Sequence, residues 1–199
     1  MSEWLGDGLQ NRSRGFDSRS RLKATTTKGQ KMTYEEYEPK HYVQPDTLGQ
    51  PVYLCDIDGT LTFRSDELDA DPTRRGIHDY DRVSEDLYHP DVFNTVGALQ
   101  QAGAKIIFVS GRPGSCREDT EAWLNAPGIL VCDDVNPLYM RTTGDRRPDT
   151  IVKREIFDQY IRPRGYYIAG VFDDRNRVVF QTWREQLGLT TFHVAWHTF

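Results

Sequence analysis

The stretch YLCDIDGTLT, residues 53–62, closes an apolar run with two aspartates two positions apart, then turns at once through Gly59 and Thr60. A solvated turn after a strand would account for it. So would a pair of carboxylates aimed into a cleft. Three other positions bear on the choice. Ser110-Gly111-Arg112 ends the apolar run AKIIFV, Asp173-Asp174 ends YYIAGVF, and Lys153 lies in the helical stretch before the latter. In open α/β sheets, ligands bind outside the carboxyl ends of the strands. If these runs are parallel strands, their polar ends converge on one place.

A carboxylate in such a place can attack a phosphomonoester in line and form an aspartyl-phosphate, which splits one hard step into two. Asp56, at the strand end, suits the nucleophile. Asp58 suits the group that protonates the leaving oxygen and later deprotonates water. Two close carboxylates push their pKa values apart, which favours that division. An anionic nucleophile also repels an anionic substrate. Mg²⁺ held by Asp56, the Asp58 backbone carbonyl and the Asp173/Asp174 pair would offset the repulsion. Ser110 can hydrogen-bond a phosphoryl oxygen, and Lys153 can neutralise charge on the transferring group. Plainer uses stay open: Asp173 and Asp174 as helix caps, Ser110 as a strand-end hydroxyl, Lys153 as a solvated helix residue. Asp149, one helical turn before Lys153, either orients a cationic partner or caps its helix. His78, His89, His193 and His197 have no metal-ligand spacing.

The elements that must position these groups alternate. VYLCDI (52–57) reads as a buried strand. PDVFNTVGALQQAG (90–103) reads as a helix entered at Pro-Asp, with Val92, Val96 and Leu99 at helical spacing and a stop at Gly103. A strand over 104–112, a helix over REDTEAWLNAPG and a short strand over ILVCDD (129–134) come next. A helix over 148–163, a strand over 166–174, a helix over RNRVVFQTWREQLG and a last strand in TTFHVAW complete the order. Continuous apolar strands alternating with helices predict an α/β fold, a Rossmann-like parallel sheet covered on both faces. Residues 62–89 are polar, without period, and too long for an ordinary connection. Coming directly after the paired aspartates, they predict a flap over the site.

Residues 1–50 differ from the rest of the chain. The first 31 are rich in Arg, Ser, Gly and Thr without periodicity, a disordered composition. Residues 32–50 suit an extended segment. GFDSR can be encoded by a stretch resembling the T-arm of a transfer RNA gene. That makes upstream sequence the expectation for 1–31, Met32 the native start, and 51–199 the folded domain. The 199 residues suffice for one domain with a core. No apolar run approaches the ~20 residues of a membrane helix, and no secretory leader is evident. Three scattered cysteines suit a reducing cytoplasm rather than disulfides or zinc. The net charge of −5 argues against a general duplex-DNA binder. Residues 1–31 carry seven Lys/Arg against three acids, leaving 18 against 27 in the remainder. That balance still allows an enzyme that holds one phosphate-bearing end.

DIDGTLT, with VSGR, VK and DD after it in order, resembles the haloacid dehalogenase-like phosphohydrolases. From about residue 51 to the end, RRGIHDYD, VSGRPG, DTIVKREIF, FDDRNRVVFQTWREQLGL and FHVAWHTF extend that resemblance. They resemble the 3′-phosphatase domain of phage polynucleotide kinase-phosphatase. The resemblance implies a Mg²⁺-dependent phosphatase that removes 3′-phosphate from DNA or RNA ends, with 2′,3′-cyclic phosphate as a further substrate. It implies Asp56 as nucleophile, with Arg75 in the flap and Arg112 as phosphate or transition-state contacts. Guanidinium geometry suits phosphate, although surface arginines are the competing reading. Thr60, Gly111 and Asp149 are placed with them around the substrate. No GxxxxGK[ST] occurs, so the kinase half of that family is not in this sequence. A separate polynucleotide kinase or ligase is then the expected partner. A small-molecule phosphatase such as a nucleotidase, and a non-catalytic RNA-end-binding subunit, are the alternatives on the same scaffold.

Overall fold

The structure, a computed structural model, describes residues 41–46, 49–63, 65 and 70–194. The expectations for residues 1–40, Met32 included, and for the last residues of the final strand lie outside the described residues.

Five parallel strands form one sheet in the order β3-β2-β1-β4-β5. The strands are β1 (Val52–Cys55), β2 (Lys105–Pro113), β3 (Leu138–Arg141), β4 (Ile168–Asp173) and β5 (Thr191–His193). Side chains alternate across a strand with period two, and the core divides accordingly. Val52, Leu54, Ile107 and Val109 belong to one apolar cluster, with Val152, Phe157 and Trp183. Cys55, Ile106 and Phe108 belong to the other, with Phe93, Val96, Trp123 and Leu124. Helices α1 (Pro90–Gln101) and α2 (Arg117–Asn125) therefore cover one face. Helix α3 (Asp149–Ile156) and a π-helix (Val178–Gln186) cover the other. The predicted sheet with helices on both faces is what forms.

One strand is not where the sequence placed it. The run 129–134 is irregular, and β3 is Leu138–Arg141 instead. Side-chain amides explain the difference. Gln100 donates to the Val131 carbonyl and accepts from its amide, and Asn125 does the same for Cys132. With its backbone satisfied from two helices, this run has no need of a ladder.

The packed domain also begins upstream of residue 51. Tyr42 is buried edge-on against Phe157, and its hydroxyl donates to the Tyr166 carbonyl at 2.7 Å. Gln44 bonds both the amide and the carbonyl of Ile168.

The insert after β1 is anchored at its root. Thr62 bridges Tyr88 antiparallel, the Phe63 amide donates to Leu87, and the His89 amide donates to Leu61. A 3₁₀ turn, Tyr80–Glu85, buries Val83. Tyr88 stacks on Trp123 of α2 at 4.6 Å. What crosses the strand ends from there is a polar segment held by an aromatic clasp.

Candidate active site

Register decides which residues meet. Cys55 pairs with Phe172 across β1 and β4, so Asp56, one residue on, stands beside Asp173 at the same edge of the sheet. The carboxylates of Asp56, Asp173 and Asp174 offer oxygens within 4.8 Å of one another. Asp56 and Asp173 are buried. Lys153 comes from the last turn of α3 and donates to Asp173 Oδ2 at 2.7 Å, with its Nζ also 2.8 Å from Asp56 Oδ1. The indole of Trp183 donates to Asp173 Oδ2 at 2.9 Å, and the Arg175 amide donates to Asp173 Oδ1. The Thr60 hydroxyl, fully buried, reaches both Asp56 and Asp174 at 3.4 Å.

Burial pushes the Asp56 carboxyl well above the usual carboxylate range. The Lys153 ammonium opposes that push, and Asp173 and Asp174 add to it. Burial works against the charge on Lys153 too, yet Asp173 and Asp56 hold it above the ordinary lysine value. One ammonium faces three carboxylates. That hard-oxygen donor set, short of positive charge, fits a divalent cation such as Mg²⁺.

Gly59 is required beside this cluster. Its φ of +81° is in the left-handed region, and a Cβ there would lie 2.6 Å from the Asp174 Cγ. Gly59→Ala is expected to add about 1–2 kcal/mol of backbone strain and to displace the Asp174 carboxylate. Binding of Mg²⁺ should then weaken, read from a direct binding titration of the protein with Mg²⁺.

Asp58 stands apart from the cluster. Arg112 grips both its oxygens, Nε to Oδ2 at 2.9 Å and Nη2 to Oδ1 at 2.8 Å, and Arg75 donates to Oδ1 at 2.9 Å. Both guanidiniums are shared with Asp86, which takes Arg75 at 2.8 and 3.0 Å and Arg112 at 2.6 Å. Arg112 also lies 5.8 Å over the Trp123 ring and donates to Thr120. Arg75 and Arg112 are buried. The sequence aimed both at substrate phosphate. In the structure their guanidiniums are engaged by Asp58 and Asp86, so what they touch is the proton-carrying candidate. Ser110 is likewise fully buried, its Oγ accepting the Arg112 amide at 3.1 Å.

Over Asp56 and Asp58 opens a cavity of about 740 Å³, also lined by Gly111, Asp149 and Lys153. Asp149 is the first residue of α3 and makes no side-chain cap. Its carboxylate is clasped by Arg141 of β3 and by Arg175, the cationic partners foreseen as one of its two uses. Gly111 lies against it, and a Cβ there would come within 2.9 Å of Asp149 Oδ1. Arg141 also donates to the carbonyls of Gly111 and Arg147.

Four participants are not evident from the sequence: Asp86, Arg141, Arg175 and Trp183. Arg141 is hidden by the misplaced third strand. Asp86 sits in a polar insert with nothing to distinguish it from its acidic neighbours. Arg175 comes directly after Asp173-Asp174, which is its available signal. Trp183 reads as core and is core, with its indole N–H turned to the carboxylate.

A parallel sheet with this carboxylate-lysine group at its strand ends defines a haloacid dehalogenase-like phosphomonoester hydrolase domain. A class C acid phosphatase from Bacillus anthracis with tungstate bound shares the fold. It has a TM-score of 0.52 and 15% identity over 75% of this chain and 68% of that one. Residues 50–199 match the family model described as the polynucleotide kinase PNKP phosphatase domain, and the chain belongs to that family. A solved structure titled "Structure of the Pnkp1/Rnl/Hen1 RNA repair complex" contains a similar chain. It has 32% identity and a TM-score of 0.65, covering 82% of this chain and 48% of that one. A protein of Autographa californica nuclear polyhedrosis virus, named "Putative bifunctional polynucleotide kinase/RNA ligase", is 34% identical over 158 residues. The match covers 78% of this chain and 21% of the relative. The chain thus spans about half or less of these two relatives. Among the described residues, no helix is long and apolar enough to cross a membrane.

Proposed function

We propose that the protein removes the 3′-phosphate from polynucleotide ends, through a phosphorylated Asp56, to leave a 3′-hydroxyl. The observation that carries this reading is the placement of Asp56 and Asp58 on the floor of one cavity. There Asp56 is held by Lys153 and Asp58 by two arginines. The two carboxylates are thus given different neighbours and different work.

In the first half, Asp56 Oδ attacks phosphorus and the P–O bond to the sugar breaks. The 3′-oxygen takes a proton from Asp58. In the second half, Asp58 takes a proton from water, the water oxygen attacks phosphorus, and the P–O bond to Asp56 breaks to release phosphate. Lys153, beside Asp56, offsets negative charge gathering on the transferring group. Asp56, Asp173 and Asp174 would hold Mg²⁺, which supplies positive charge to the phosphoryl oxygens. Arg75 and Arg112 fix the direction of the Asp58 carboxylate. A 2′,3′-cyclic phosphate is a further substrate on this reading, opened by the same nucleophile. The named activities of the relatives point to RNA ends, with kinase and ligase steps supplied by other polypeptides or domains.

Phosphate release from 3′-phosphorylated RNA and DNA oligomers, with and without Mg²⁺, tests the reading. Mg²⁺-dependent release that exceeds turnover of free mononucleotides is the expected result. Better turnover of mononucleotides would support a nucleotidase instead. Asp58→Asn separates the two carboxylates. It should cost ~10²–10⁴-fold on oligonucleotides, the usual worth of a positioned proton carrier. Formation of the phosphoenzyme from p-nitrophenyl phosphate should survive, because that leaving group needs no proton. Equal losses on good and poor leaving groups would remove Asp58 from its assigned role.

A further inference from the structure

Trp183 is a large apolar side chain with one polar atom, and where that atom goes is informative. The residue is buried in the core cluster that includes Phe157, whose ring lies 6.4 Å away and edge-on. A buried indole usually finds an acceptor for its N–H, and a backbone carbonyl serves well enough. Trp123, also buried, donates to the Asp86 carbonyl in that way. Trp183 instead donates at 2.9 Å to Oδ2 of Asp173, a fully buried carboxylate of the acidic cluster.

The element that carries it is unusual and well anchored. Trp183 belongs to the π-helix Val178–Gln186, a rare form that is frequent at functional sites. That helix is fastened to α3, where the buried Thr182 hydroxyl donates to the Thr150 carbonyl at 3.2 Å. In turn α3 carries Lys153, whose Nζ donates to the same Asp173 Oδ2 at 2.7 Å. Two donors from two joined helices converge on one oxygen, while the Arg175 amide donates to the other at 3.0 Å. The two are not equivalent. Lys153 divides its charge between Asp173 and Asp56, whose Oδ1 lies 2.8 Å from Nζ. On the proposed mechanism Asp56 becomes phosphorylated, and the ammonium is drawn to the added phosphoryl charge. An indole N–H carries no net charge, and its ring is held by core packing, so it stays on Asp173.

Building on the reading that Asp56, Asp173 and Asp174 hold Mg²⁺, we propose that Trp183 is the positioning residue of Asp173. Its indole N–H keeps that carboxylate turned to the cluster whichever way Lys153 is engaged. Lys153 can then serve the transferring phosphoryl group without loosening the metal site. A group that hydrogen-bonds a metal ligand fixes the ligand's direction, and its loss costs roughly 10–100-fold in metal affinity or activity. Trp183 acts through Asp173 and not on the phosphoryl group.

Trp183→Phe keeps the aromatic packing and removes the N–H. Calorimetric titration with Mg²⁺ alone, without substrate, should show affinity roughly 10–100-fold weaker than in wild type. Phe157→Leu, in the same apolar cluster, serves as the packing control: it should lower Tm and leave Mg²⁺ affinity at the wild-type value. A measurement on the unaltered protein covers the case in which Trp183→Phe does not fold. The Trp183 indole N–H should exchange slowly with solvent, and its proton resonance should move when Mg²⁺ is added. Wild-type Mg²⁺ affinity in Trp183→Phe, equal weakening in both variants, or an indole resonance indifferent to Mg²⁺ would overturn the proposal. In each of those cases the metal reading of the cluster would stand. Only a wild-type protein that binds no Mg²⁺ would take down both.

Discussion

Asp56→Asn is expected to leave no turnover on any phosphomonoester, good leaving group or poor, and no covalent phosphoprotein after acid quench. The amide is isosteric and still accepts from Lys153, so the packing around the strand end should hold. On the proposed mechanism the substitution removes the nucleophile, and with it goes one of the three carboxylate charges in the cluster. Removing a carboxylate also relieves repulsion with Asp173 and Asp174, so the melting temperature should not fall. An inactive but undiminished fold is therefore the expected pair of observations. Residual phosphoprotein in Asp56→Asn would place the nucleophile elsewhere.

Asp86→Ala should produce the largest combined loss of stability and activity outside the carboxylate cluster. The Asp86 side chain is 4% exposed and bridges two guanidiniums that are 2% and 0% exposed. Breaking a buried ion pair by removing one partner costs roughly 3–5 kcal/mol, which for a domain of this size is about 6–20 °C in Tm. Asp58 would then share two under-neutralised arginines and lose its fixed direction. Activity should fall further on 3′-phosphate oligonucleotides than on p-nitrophenyl phosphate, because only the former needs a proton delivered to the leaving oxygen. A purely structural role would reduce both alike. Asp86→Asn keeps one acceptor oxygen and should fall between wild type and alanine on both measures.

Much of this architecture is legible in the sequence. Alternation of β-branched runs with helical stretches gives the sheet, because buried parallel strands need continuous apolar sequence and crossover helices. The same logic brings Asp56, Asp173, Ser110 and Lys153 toward one edge, since each ends or flanks such a run. Local sequence does not show which way a backbone is satisfied. ILVCDD has the composition of a strand, yet Gln100 and Asn125 bind its backbone from helical positions 31 and 7 residues away. LYMR, four residues long after Asn-Pro, does the pairing instead and carries Arg141 to the cavity. Arg75 and Arg112 are found by type and position, but their orientation depends on Asp86. One carboxylate among several in the polar insert could not announce itself. Its burial comes from Tyr88 and Trp123 clasping the flap root, with the Trp123 indole donating to the Asp86 carbonyl at 2.9 Å.

On the proposed function, the phosphoryl group removed sits on the 3′-end of a polynucleotide. One oligoribonucleotide sequence, prepared with a single phosphate at either its 3′- or its 5′-end, tests this most directly when incubated with the protein and Mg²⁺. The expected result is inorganic phosphate and a ligatable 3′-hydroxyl from the 3′-phosphorylated strand, and no release from the 5′-phosphorylated strand. Release from both ends at similar rates, or from the 5′-end alone, would contradict it.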